Sequence, residues 1–188
     1  MATYLINPKT LKETAYVDEN VDDKLLSNTI VYVQDLYILP KLGTGLLNEL
    51  KTQIDAGTLT ALNTTLLSTY VKPVFVYLVL SELPIPMNMK LTNIGIVEKR
   101  SENSEPIAFN KIVAFGDKFK NIAEYYAERL KLYLCEHSND YPLYLNPGTG
   151  VDIVRPDRQS YTGGWYLGDD PQQVPDFIKA EYPLTYGS

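Results

Sequence analysis

NTTLLSTYVKPVFVYLVLSEL, residues 63–83, is the stretch on which the fold class turns. Its central run, Val74 to Leu80, is continuously apolar and rich in β-branched and aromatic residues, a local pattern that favours a buried strand. Leu66, Leu67, Tyr70, Val71 and Val74 lead into that run at helical spacing, and the whole apolar segment is too long for an ordinary strand. The stretch therefore reads as a helix buried on all sides, with Pro73 at a kink or in its first turn. Read so, it makes the chain mainly α.

Towards the N-terminus, Asn7 and Pro8 supply a cap and a first-turn proline for a short helix reaching about Tyr16. Asp18 to Asp23 suit the positive end of a second helix, along which Leu26, Ile30, Val33 and Tyr37 form one apolar face. Pro40 and Gly43 are expected to end it. Thr44 then caps a further helix with Leu46, Leu47, Leu50 and Ile54 as its stripe and Gly57 at its end, so that the two helices form a hairpin.

On the C-terminal side, Pro84 and Pro86 are expected to stop the central helix, Leu91 to Val97 to form a short strand around Gly95, and Glu98 to Glu105 to make a polar connector. Phe115, Phe119, Ile122, Tyr126, Leu130 and Leu134 then recur at spacings of three and four, the clearest helical period in the chain, opened by Asn110 or Asp117. Lys118, Lys120, Glu124, Glu128 and Lys131 lie on its other side.

Composition changes near Asn139. Half of the twelve prolines and six of the eleven glycines fall in the last 50 residues, with many aromatics and no sustained helical period. The expected division is a helical domain over 1–138 and an extended arm over 139–188 that orders on a partner. Within the arm, Arg155, Arg158, Tyr161, Trp165 and Tyr166 are the candidate protein-interface residues, because Arg, Tyr and Trp are the side chains that anchor protein contacts.

The chain has 188 residues and a net charge of −6, which argues against tight binding to nucleic acid, since phosphate contacts need clustered Lys and Arg. The N-terminal residues lack the basic and apolar regions of a signal peptide. Val74 to Leu80, the longest apolar run, falls well short of the ~20 residues that span a bilayer, so a soluble protein is expected. Cys135 is the single cysteine and His137 the single histidine, two positions apart on a helix and therefore pointing apart, which excludes a nucleophile–base dyad. Gly43-Thr44-Gly45 and Gly148-Thr149-Gly150 match no phosphate-binding loop and read as helix punctuation and a turn. Asp22-Asp23 and Asp169-Asp170 lack the further oxygen ligands of a cation site. No catalytic residue, metal or cofactor is expected.

Ile30, Gln34 to Ile38, Pro40, Leu42-Gly43 and Leu46 to Leu50 form an ordered pattern that resembles head-to-tail connector proteins of tailed phages. Asn93 to Val97, Ser101 to Glu105 and Ala123 to Leu130 continue the order and are similar to ring proteins of crAss-like phages of gut Bacteroides, over about Asn7 to Tyr144. The resemblance implies a helical adaptor-type bundle with a small β element, assembled as a dodecameric ring beneath the portal protein. Neighbouring ring or tail proteins would be further partners, and DNA would pass through the channel as cargo. It also implies a place in the virion connector after assembly in the host cytoplasm, a structural rather than enzymatic role, and no membrane partner. Two other classes stay open: a capsid or tail accessory protein outside the channel, and a small hydrolase with an acidic site.

Overall fold

The computed structural model describes residues 3–15, 17–93, 95–98 and 107–157. Among these the chain is mainly α, as the period of its apolar residues predicts. The elements are α1 (Pro8–Thr14), α2 (Asp23–Val33), a π-helical turn (Gln34–Ile38), α3 (Leu39–Ala56), α4 (Ala61–Thr65), a second π-helical turn (Leu66–Val71), α5 (Lys72–Glu82), α6 (Pro84–Asn88), β1 (Met89–Thr92), β2 (Gly95–Glu98), α7 (Phe109–Glu136) and α8 (Pro142–Leu145).

The ambiguous run is helix α5, and its packing explains the ambiguity. It lies between α2 and α7 and buries Val74, Phe75, Val76, Leu78, Val79 and Leu80, so it needs no polar face. With its neighbours it makes one helical run, Ala61–Asn88, that is long and apolar enough by length and composition to cross a bilayer. The uninterrupted run Val74 to Leu80 is only the most apolar part of it. Half of the run's most apolar window is nonetheless buried inside the chain, against the other helices.

Pro40 and Pro73 each follow a π turn. Leu39 N–H bonds to Gln34 C=O and Lys72 N–H to Leu67 C=O, each five residues back, and Pro40 and Pro73 come next. A proline has no N–H and its ring meets the carbonyl four residues earlier. Widening the preceding turn by one residue relieves that crowding, so Pro40 does not end the helix as expected. Gly43 breaks the helical path instead, with φ 78° and ψ 158° in the middle of α3. The expected hairpin is not formed: α2 packs along α1 and α5, whereas α3 packs on α8.

Caps follow the sequence at two helices. The Asn7 side chain accepts from Thr10 N–H, and Asp22 from Lys24 N–H, while Asp23 pairs with Lys12 at 2.6 Å. The buried polar residues are also satisfied. Gln34 accepts from Leu5 N–H and donates to Thr3 C=O, tying down the N-terminal segment, and Asn63 donates to Glu49 and Gln53.

Pro84 begins one more turn, α6, and the helical run stops only at Met89, where the backbone becomes extended. The expected single strand is a two-stranded hairpin in which Thr92 pairs with Gly95. Helix α7 begins at Phe109, ahead of both expected openings. Its buried stripe is Ile112, Phe119, Ala123, Ala127, Leu130 and Leu134; the two alanines replace Ile122 and Tyr126 at its centre, and Phe115 is half exposed. Alanine lets α5 approach, and aromatic rings seal the flank, with Tyr77 stacked on Tyr126 and Tyr70 on Tyr133 at 3.9 Å.

Candidate interaction surface

The segment after α7 is part of the helical body, which corrects the boundary at 139. His137 closes α7 with its ring Nδ1 3.0 Å from the Tyr133 carbonyl. Tyr141 and Tyr144 then turn inward and are buried, and α8 seats the chain against α3. The Tyr141 hydroxyl donates to the Leu62 carbonyl at 3.1 Å.

From Pro147 the chain runs as a strap over Gly43-Thr44-Gly45. Thr44 N–H donates to Val154 C=O at 3.0 Å, and Val154 N–H donates to the Thr44 hydroxyl at 2.9 Å. Asp157 N–H donates to Pro40 C=O at 2.8 Å. A Cβ on Gly45 would lie 2.7 Å from Pro147 Cα, and one on Gly43 would lie 2.7 Å from Pro156 Cδ. The two glycines therefore form a seat that only a bare backbone can provide. Sequence reasoning assigned this triplet to punctuation; the signal it carried was a pair of glycines flanking a hydroxyl residue, which marks close backbone approach.

Of the candidate interface residues, Arg155 is exposed on the strap between Val154 and the buried Pro156. Arg158, Tyr161, Trp165 and Tyr166 lie outside the described residues, as does Asp169-Asp170. Cys135 is exposed and free. Among the described residues no three His, Cys, Asp or Glu side chains gather to hold a metal.

A second surface was not anticipated. Leu80, Leu83, Pro84, Met87, Ile107, Ile112 and Phe115 line an apolar groove of about 420 Å³ between α6 and the first turns of α7. Ile85, Phe109 and Val113 on the same two helices are also exposed, Phe109 at 53%. The sequence hid this because Phe115 continues the α7 period and reads as core.

Two phenols are held in their neutral form. The Glu82 carboxylate accepts from the Tyr37 hydroxyl at 2.6 Å and raises its pKa well above the usual tyrosine value, with burial adding to it. Burial raises Tyr141 in the same way, helped by the neighbouring Tyr133. Above pH 10, the ordinary tyrosine value, the unfolded chain loses these protons before the folded chain does. Stability is thus fully present below pH 10 and falls as pH rises towards the folded-state values. Urea midpoints measured from pH 8 to 11 should show this decline, and Tyr37→Phe with Tyr141→Phe should flatten it.

The model of DUF6712, a family of unknown function, matches residues 38–153. The chain belongs to this family. The DUF6712 match begins at Ile38, within the first π turn, and ends at Ile153, inside the strap. It therefore covers the glycine seat and Pro147 but stops one residue short of Val154, where the strap's hydrogen bonds begin, and it runs across position 139 without a break. No curated protein and no solved structure matches the chain.

Proposed function

We propose that this DUF6712 protein is a structural subunit of a phage head-to-tail connector, repeated as a ring beneath the portal, with DNA passing through the lumen. The observation that carries the reading is the apolar surface on α6 and the start of α7, where Ile85, Met87, Ile107, Phe109, Val113 and Phe115 are all exposed in the lone chain. A contiguous apolar surface of this kind marks a protein contact. A neighbouring copy is the occupant this reading assigns to it, because a head-to-tail contact repeated around a ring covers the same surface on every subunit.

Two further features support the reading. The first part of the pattern that carries the resemblance, from Ile30 to Leu50, builds the first π turn, the Gly43 bend and the core face of α3, and Ala123 to Leu130 lie on α7; Ile94 and Ser101 to Glu105 fall outside the described residues. The net charge of −6 also suits a wall past which DNA moves without sticking. The role is geometric rather than catalytic, exercised in the virion after assembly in the host cytoplasm, with the portal and adjoining ring or tail proteins as partners.

Electron microscopy and native mass measurement of the full chain, alone and with portal protein, test this. Closed rings with a pore wide enough for duplex DNA are expected. Val113→Asp with Phe115→Ser should weaken ring closure at least ten-fold while leaving the unfolding midpoint of the monomer unchanged. Decoration of the capsid exterior, or ring assembly indifferent to these substitutions, would overturn the assignment.

A further inference from the structure

Helix α3 carries its bend where one helical hydrogen bond has been divided. In a regular helix Thr44 N–H would donate to Pro40 C=O, four residues back. Here Thr44 N–H donates to Val154 C=O at 3.0 Å, and Pro40 C=O instead accepts from Asp157 N–H at 2.8 Å. The strap has taken both halves of the missing bond. It adds a third contact from Val154 N–H to the Thr44 hydroxyl at 2.9 Å, and it lays Pro156 across Gly43.

These contacts lie on both sides of the bend: Pro40 precedes Gly43 and Thr44 comes after it. A buried N–H or C=O left without a partner is costly, so the bend and the strap depend on each other. Without the strap, the two backbone groups must pair with water or with each other, and pairing with each other requires Gly43 to leave φ 78°, ψ 158° for helical values and α3 to swing relative to α2.

We propose that residues 154–157 are a splint that locks the Gly43 hinge, and that undocking them frees the angle between α2 and α3. The core face of α3, with Leu46, Leu47 and Leu50 buried, opposes a large swing. The freed hinge therefore samples a range of angles rather than one new one. This device is independent of the ring assignment, since it needs no second copy.

The test uses the full chain with Cys135→Ser and spin labels at Asn28→Cys and Thr52→Cys, both exposed positions on α2 and α3. Thr44→Val removes one strap contact with little change of shape, and Thr44→Val with Val154→Pro and Asp157→Pro removes the hydroxyl acceptor and both strap N–H donors. The label-to-label distance distribution should widen modestly in the single variant and at least two-fold in the triple variant. Hydrogen exchange at Leu42 to Leu46 should accelerate at least ten-fold, with the helical signal of the body retained. An unchanged distance distribution in the triple variant would mean that core packing alone sets the bend, and the splint would be refuted.

Discussion

Gly43→Ala is expected to lower the unfolding free energy by about 2–4 kcal/mol, a large fraction of what holds a domain of this size together. Two costs combine. The backbone at φ 78°, ψ 158° lies in a region open almost only to glycine, where another residue pays about 1–3 kcal/mol. The added methyl would also lie 2.7 Å from Pro156 Cδ and 3.3 Å from Val154 O, so the strap must shift or leave. Urea unfolding gives the total, and hydrogen exchange at Val154 and Asp157 shows whether the strap has undocked. Wild-type stability with a docked strap would contradict the geometry on which the hinge depends.

Phe75→Ala should cost more, about 3–5 kcal/mol, the range for emptying a fully buried aromatic site. Phe75 is 0% exposed on α5, a helix that packs against both α2 and α7. The cavity can close only if α2 or α7 moves inward, and each is held along its length by its own buried stripe. A loss below about 1 kcal/mol would mean that the interior repacks freely. Phe115→Ala is the matched control. The same side-chain truncation at a half-exposed ring should barely change the unfolding midpoint of the lone chain.

The contrast between these phenylalanines shows what the sequence could disclose. The type and order of the main helices were legible because Leu26, Ile30 and Val33, then Leu46, Leu47 and Leu50, and then Phe119, Leu130 and Leu134 repeat with the helical period and are buried as the period implies. Phe115 has the same spacing and is exposed, since periodicity assigns a residue to a face without saying whether anything covers that face near a helix end. The strap was illegible for a different reason. Its hold depends on backbone groups and a glycine seat about 110 residues away in sequence, and neither leaves a hydrophobic pattern. Composition put residues 139–157 in an arm because proline and glycine are enriched from there to the end of the sequence, whereas in this chain they make close docking possible.

The π turns have a consequence for phase. On an α-helix, residues five apart differ by about 140° in direction, so both cannot face the same core. Leu66 and Val71 are five apart and both fully buried, because the π turn between them absorbs one extra residue. Beyond each such turn the apolar code restarts one position out of step, like a vernier advanced by a single mark. Inserted or deleted residues at Gln34–Ile38 and Leu66–Val71 therefore change which face a helix presents while its own residues stay the same, and a family built on this fold can rotate α3 or α5 by editing one residue.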